Sequence, residues 1–188
     1  MSLQIYKPND KNTGCACSFK FGVDLKRNEP IVFVNAIQQH GWDARERVGS
    51  FTENANNPDK SLTIKLNEVE CGEFISAFEN RHEYSAYHDF DENKTSIKIS
   101  PWDKKRKISV KDPKTKKYES KFIEVPAFGL AIVRNGNQVY RIPLDPGEIV
   151  MIKNFLNLAL NKIYEARLKK QQEYQAKKRA EQQKWKRK

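Results

Sequence analysis

Apolar and polar residues alternate along several short stretches of this chain, the period of a β-strand with one buried face. Three such stretches lie in the first half, at 15–23, 48–51 and 61–66, and a further strand is predicted at 31–37, where both faces are apolar as in a central strand. Four more lie in the second half, at 83–90, 95–100, 127–134 and 138–143. After each set the apolar spacing changes to i, i+3, i+4, i+7, from Cys71 to Phe78 and from Leu156 to Ile163. The pattern therefore predicts four strands followed by a helix, twice.

The two strand-to-helix junctions have nearly the same sequence. Leu66-Asn67-Glu68-Val69-Glu70 and Leu144-Asp145-Pro146-Gly147-Glu148 each place a capping residue three positions before a glutamate. That spacing predicts a capping box, in which cap side chain and glutamate each accept a backbone N–H from the other residue. Pro146 suits the first helical position, where no amide donor is needed. The repeated junction predicts a duplicated β4-α unit.

This duplication defines the predicted fold class and domains. We expect an α+β domain over residues 14–166, in which two curved antiparallel sheets pack with two helices. Its repeat units would span about 14–80 and 83–166. Residues 1–13 are polar and are predicted to form an arm. Outside both units we place a basic hairpin insertion at 103–122 and a basic helical tail at 167–188.

The net charge of +11 is unevenly distributed along the sequence. Residues 167–188 carry a net +8 and residues 103–122 a net +6, which leaves −3 on the remainder. Concentrated positive charge favours a polyanionic partner, because binding to phosphates releases condensed counterions. The alternative is that both segments are solvated and serve only solubility.

Other functional classes find little support in the sequence. No apolar run approaches the ~20 residues of a membrane span, and the first residues have no signal- or transit-peptide pattern. Cys15 and Cys17 share an apolar strand face with Phe19, and no second Cys/His pair has ligand spacing, so buried thiols are favoured over a metal site. Phosphate-binding loops and nucleophile motifs are absent too. We therefore expect no enzyme activity, no metal and no cofactor.

The duplicated layout resembles the Whirly family of single-stranded-DNA-binding proteins. It is also similar to their relatives, the kinetoplastid mitochondrial RNA-binding proteins and the coactivator positive cofactor four. The similar segments, in order, are Trp42-Asp43 with Arg45 and Arg47, Leu66 to Ile75, Tyr87-His88-Asp89, Ser96 to Ile99, and Val139 to Leu144 followed by Glu148. The resemblance implies a homotetramer whose helices pack centrally and whose sheets radiate outward, with single strands lying across the sheet edges.

Single-stranded nucleic acid requires cations along its backbone and flat side chains for its unstacked bases. Lysines on the polar side of predicted strands, and aromatic residues next to charged ones, meet these requirements. The candidate nucleic-acid-binding residues are Lys20, Trp42, Arg45, Arg47, Phe51, Lys65, Tyr87, His88, Lys98, Trp102, Lys104, Lys105 and Arg106. The alternatives are that the lysines belong to an ordinary solvated sheet face, that the tryptophans cover an edge of the core and that His88 is structural.

The sequence thus predicts a protein that binds single-stranded DNA with little sequence preference, in replication or recombination. Two alternatives remain open: an RNA-binding or annealing protein of the same fold, and a scaffold that binds an acidic partner. Without a transit pattern we expect a cytoplasmic protein, either of a bacterium or of a virus-infected host cell.

Overall fold

In the part of the chain that the structure describes, the fold consists of two four-stranded antiparallel sheets, a small two-stranded sheet and two α-helices. The computed structural model describes residues 1–25, 28–113 and 116–186; parts of two predicted turns (26–27 and 114–115) and the last tail residues (187–188) lie outside this range. The strands are β1 Ser2–Lys7, β2 Cys15–Asp24, β3 Glu29–Gln38, β4 Gly41–Asp43, β5 Val48–Ser50, β6 Ser61–Leu66, β7 Tyr84–Phe90, β8 Asn93–Lys111, β9 Tyr118–Arg134 and β10 Gln138–Leu144. The helices are α1 Glu68–Asn80 and α2 Pro146–Lys186.

Both sheets are simple meanders. The first has the strand order β1-β2-β3-β6 and the second β10-β9-β8-β7. Each ends in a strand that leads into a helix, so the predicted duplication and the α+β class are confirmed. Strands β4 and β5 form a separate hairpin inserted between β3 and β6.

The composition of the first sheet differs from the prediction at two places. Residues 2–7, predicted to lie in a polar arm, pair along β2 from Ser2 opposite Lys20 to Lys7 opposite Cys15. Ile5 is only 3% exposed and Leu3 packs against the core, so these two side chains and the full ladder to β2 hold the strand in the sheet. The stretch 48–51 does not join the main sheet; its first three residues are β5 of the small hairpin.

The predicted capping of α1 is present in full. The Asn67 side chain accepts the Glu70 amide at 2.9 Å, and the Glu70 carboxylate accepts the Asn67 amide at 2.7 Å. At the start of α2 the Asp145 amide donates to Glu148 at 2.8 Å. The Asp145 carboxylate there accepts from Lys104 Nζ at 2.6 Å. A residue predicted as a helix cap therefore also fixes a neighbouring strand.

The core lies between the two sheets and the helices that cover them. Phe19 of the first sheet packs edge-on against Phe74 of α1. Phe128 of the second sheet packs against Phe78 of the same helix, with ring centroids 5.0 Å apart. Helix α1 thus contacts both sheets and joins the two repeat units into one hydrophobic core.

The two helices run antiparallel. Glu79 near the end of α1 pairs with Lys153 near the start of α2 at 2.9 Å, and Glu68 at the start of α1 pairs with Arg167 at 2.7 Å. The buried stripe of α2 ends at Ile163, and the helix then continues to Lys186 with an exposed surface over residues 167–180. Within the described ranges, no helix has both the length and the apolar character that crossing a bilayer requires.

The predicted basic hairpin is an outgrowth of the second sheet. Strands β8 and β9 are 19 and 17 residues long and stay paired from Thr95 opposite Arg134 to Lys111 opposite Tyr118. We call residues 103–111 with 118–126 the β8–β9 arm. Its base lies at the start of α2, whereas the tail extends from the other end of that helix.

Candidate nucleic-acid interface

The solvent-facing side of the first sheet carries a row of two lysines around an aromatic ring. In register, Lys20 of β2 lies opposite Phe33 of β3, which lies opposite Lys65 of β6. The residues on either side of these positions, such as Phe19, Val34 and Ile64, point into the core. Adjacent strands are about 4.8 Å apart, so the lysines flank the ring at a distance of about one strand each.

Phe33 is positioned by a glycine on the neighbouring strand. A Cβ atom at Gly22 would come within 3.0 Å of Phe33 Cε2, so the ring lies over the glycine backbone. Lys65 Nζ pairs with Asp24 Oδ2 at 2.9 Å. The lysine side chain remains 50% exposed, and an ion pair of this exposure is worth no more than about 1 kcal/mol. Sequence analysis predicted the two lysines but missed Phe33, because β3 is apolar on both faces.

A cleft of about 400 Å³ lies beside this row, between the two sheets. Arg134 at the end of β9 bridges the sheets, since its Nη2 donates to the Thr63 carbonyl at 3.3 Å. The cleft combines apolar walls with cationic side chains. Its lining includes Phe33, Lys65, His88, Phe90, Thr95 and Arg134.

The solvent-facing side of the second sheet has a similar character. Along β8, Lys98 and Trp102 share this side, four residues or about 14 Å apart, and Tyr87 of β7 lies opposite Ser96. The rings are well exposed, Tyr87 at 63% and Trp102 at 42%. Lys98 Nζ pairs with Glu83 Oε1 at 2.8 Å, and this contact lowers the pKa of the glutamate.

This face also includes a cation that sequence reasoning missed. Arg141 of β10 lies opposite Ala131 of β9, which in turn lies opposite Lys98. Arg141 is exposed. The residue between the two cations, Ala131, has a short side chain that does not project between them. The position of Arg141 in the strict alternation of β10 was a signal that could have found it.

Two predicted residues lie elsewhere. Phe51 is 8% exposed and packs against Tyr6 with ring centroids 5.7 Å apart, so little of its ring is open to a base, contrary to what the sequence predicts. His88 alternates with Tyr87 and therefore faces α1, where its Nε2 lies 2.8 Å from Glu70 Oε1. The structure thus separates His88 from the outer face of the second sheet, although its ring borders the cleft.

The β4–β5 hairpin holds three further candidates. Trp42 lies opposite Gly49 and is partly exposed. The Asp43 carboxylate accepts the Arg45 amide at 2.8 Å, which fixes the turn, and the Arg45 side chain is 93% exposed. Arg47 has a positive φ of 55° and borders an open groove of about 850 Å³. The three residues share one small element, apart from both sheet faces.

The last three candidates begin the β8–β9 arm. Lys104 pairs with Asp145 at 2.6 Å and is half-buried, whereas Lys105 and Arg106 are exposed. Hydrogen bonds from Lys104 and then Lys7 lower the pKa of the Asp145 carboxyl. Lys104 therefore anchors the arm, whereas Lys105 and Arg106, the other two of these three candidates, have no ion pair with a carboxylate of the described residues.

The described part of the chain holds no cluster of three or more potential metal ligands. Cys15, Cys17 and Cys71 are buried and unbridged. Burial raises the pKa of Cys17 and of Cys71 to about 12, so these thiols stay protonated at neutral pH.

Comparisons with known proteins agree with this architecture. No family model matches the sequence, and no curated protein sequence matches it significantly. The structure is similar to that of WHY1 from Arabidopsis thaliana, with a TM-score of 0.55 and 13% identity over 93% of this chain and 92% of that one. It is also similar to the plant transcriptional regulator PBF-2, with a TM-score of 0.52 and 14% identity over 89% and 84% of the two chains. WHY3 from Arabidopsis thaliana is similar as well, with a TM-score of 0.51 and 14% identity over 87% of this chain and 88% of that one. The chain therefore has the Whirly-like fold.

Proposed function

We propose that this protein is a non-catalytic single-stranded DNA-binding protein with little sequence preference. The observation that carries the proposal is the outer surface of the two sheets, where exposed aromatic rings lie among lysines and arginines. Similarity to WHY1, WHY3 and the transcriptional regulator PBF-2 supports the proposal at the level of the fold. We further propose that the protein acts in replication or recombination and that it is located in the cytoplasm.

The row on the first sheet would bind one short segment of the strand. An unstacked base would lie on Phe33 while Lys20 and Lys65 contact the phosphates on either side. Stacking of this kind is worth about 1–3 kcal/mol per base and accepts any base, because every base has a π-face. Low sequence preference follows from this mode of binding.

The second sheet and the hairpin would extend the path. Tyr87 and Trp102 would stack bases, and Lys98 and Arg141 would contact phosphates between them. To bind a phosphate, Lys98 must give up its ion pair with Glu83. Because this pair is exposed, breaking it costs little free energy. Trp42, Arg45 and Arg47 would meet the strand on the small hairpin.

Homotetramers are part of the proposal, by resemblance to the Whirly family. The support within the chain is an exposed apolar surface on α2, where Val150, Met151 and Leu158 are 56%, 49% and 43% exposed. These residues precede the charged tail and lie on the helix side of the domain, away from the outer sheet faces. Sedimentation velocity would test the assembly, with a monomeric mass as the contradicting result.

A direct binding experiment tests the proposal. A labelled single-stranded DNA of about 30 nucleotides is titrated with the full chain and followed by fluorescence anisotropy, with a duplex of equal length as control. We expect tighter binding of the single strand. Competition with an RNA of matched sequence distinguishes DNA from RNA as the partner; stronger competition by RNA would overturn the DNA assignment and leave the binding surface in place.

A further inference from the structure

The β8–β9 arm is long enough to be a binding element in its own right. It extends nine residues beyond the sheet on each strand, or about 30 Å at the usual rise per residue. Two contacts fix its base to the helices. Arg81, directly after α1, pairs with Asp103 at 2.7 Å, and Lys104 pairs with Asp145 at the start of α2.

One side of the arm pairs lysines with aromatic rings. Lys107 of β8 lies opposite Phe122 of β9, and Lys111 lies opposite Tyr118. Both rings are 71% exposed. Lys111 Nζ lies 6.0 Å from the centroid of the Tyr118 ring, at the outer limit of a cation–π contact.

The opposite side of the arm has a different composition. There Arg106 lies opposite Ile123, and Val110 lies opposite Glu119. No aromatic side chain alternates onto that side within the described part of the arm. The pairing of cations with flat rings is therefore a property of one side only, hereafter the Lys107–Phe122 side.

The cations of the Lys107–Phe122 side are available to a ligand. Among the carboxylates that the structure describes, none lies within ion-pair distance of Lys107 or Lys111. Residues 103–122 carry a net charge of +6, whereas the residues outside 103–122 and 167–188 together carry −3. A polyanion is therefore the partner that this charge favours.

We infer that the Lys107–Phe122 side of the arm is a second binding surface for single-stranded nucleic acid. Phosphates would lie along the β8 lysines while unstacked bases lie on the β9 rings. A duplex fits this side less well, because its bases already stack on their neighbours and offer no free face to Phe122 or Tyr118. The inference rests on the proposed function and adds to it a surface outside both sheets.

The Lys107–Phe122 side is separate from the outer face of the second sheet. Trp102, the last outer-face aromatic of that sheet, directly precedes the arm on β8 but alternates onto the side that carries Arg106. A strand bound to the Lys107–Phe122 side would therefore add its nucleotides to those bound on the outer sheet face, which would enlarge the number of nucleotides that each protomer covers.

Paired variants of the full chain test the inference. The test variant is Y118A/F122A. The control is V110A/I123A, which removes two exposed aliphatic side chains, 36% and 40% exposed, from the other side of the same strands. Circular dichroism and thermal unfolding first establish that both variants fold as the wild type does. Affinity for a 30-nucleotide single strand and the number of nucleotides covered per protomer at saturation are then measured.

We expect Y118A/F122A to lose at least about fivefold in affinity, which corresponds to one weak stack, and to cover fewer nucleotides. The control should stay within about twofold of the wild type. Ultraviolet cross-linking of the wild type to oligothymidylate should attach the nucleotide to Tyr118 or Phe122, as located by mass spectrometry.

Three results would overturn the inference: unchanged affinity and coverage in Y118A/F122A, an equal loss in the control, or an equal loss for duplex and single strand. These results leave the sheet surfaces as the binding site. If instead the wild type fails to bind any single strand, the proposed function itself fails, so the two failures are distinguishable.

Discussion

Replacement of Phe33 tests the proposed binding surface on the first sheet at a single side chain. Phe33 lies between Lys20 and Lys65 in register and over Gly22 of the neighbouring strand. The variant Phe33→Leu keeps an apolar side chain over the glycine but removes the flat ring. We expect a loss of about 1–3 kcal/mol in binding, the worth of one base–aromatic stack, or about 5- to 150-fold in Kd.

The salt dependence of binding adds a second expected result for the same variant. Since Phe33→Leu removes no cation, the slope of log K against log salt should stay the same while the affinity falls at every salt concentration. Anisotropy titrations with a 30-nucleotide single strand at four salt concentrations measure both quantities. The variant Phe33→Tyr, which keeps the ring, should bind within about threefold of the wild type.

The free energy of unfolding of Phe33→Leu serves as the control for loss of folding. Phe33 lies on the outer face and outside the main core cluster, so the substitution should cost no more than about 1.5 kcal/mol in the free energy of unfolding. Wild-type affinity in Phe33→Leu would refute the stacking role. So would an equally large loss in Phe33→Tyr, because a ring is still present there.

Three further predictions concern other parts of the chain. Removal of residues 171–188, which carry a net charge of +5, should lower both the affinity and the salt slope; complete loss of binding would place the site in the tail instead of the sheets. Cys17 and Cys71, with pKa values raised to about 12 by burial, should resist iodoacetamide at pH 8 in the native protein and react in urea, as mass spectrometry would detect; native labelling would show that they are accessible. Asp145→Asn should cost about 1 kcal/mol in the free energy of unfolding at neutral pH. The pKa of this carboxyl is lowered by Lys104, so its contribution is present above its ordinary value of 3.8 and disappears as the pH falls through the lowered value; a cost that persists at pH 2 would contradict the assignment to charge.

The sequence predicted the elements whose signals are local. The junction at Asn67 and Glu70 combines a cap, a matching glutamate and an apolar helical stripe, and the structure contains both capping hydrogen bonds. The strand before it alternates cleanly from Leu62 to Leu66. Because the cap, the glutamate and the apolar pattern all indicate the same local structure, the sequence alone predicts the duplicated unit and the α+β class.

Elements that depend on tertiary pairing were harder to predict. Strand β1 has only Leu3 and Ile5 as inward-facing apolar residues, and its place in the sheet is set by the ladder to β2. Phe51 is predicted from the sequence to contact nucleic acid, yet it packs against Tyr6 from that same strand. Since the chain 1–13 was predicted to be an arm, nothing in the sequence offered Phe51 a partner.

The proposed binding surface likewise combines residues that local pattern predicts with one that it does not. Lys20 and Lys65 could be predicted because polar residues in an alternating strand face solvent. Phe33 could not, since β3 is apolar on both faces and only the register with β2 and β6 reveals its cationic neighbours.

The salt dependence of binding to single-stranded DNA tests the central claim most directly. The full chain is titrated with a 30-nucleotide single strand and with a duplex of equal length between about 50 and 200 mM salt. We predict tighter binding of the single strand and a linear fall of log K with log salt, with a slope of about −0.7 per phosphate contacted. Absence of binding at the lowest salt concentration, or an affinity that does not change with salt, would contradict the account.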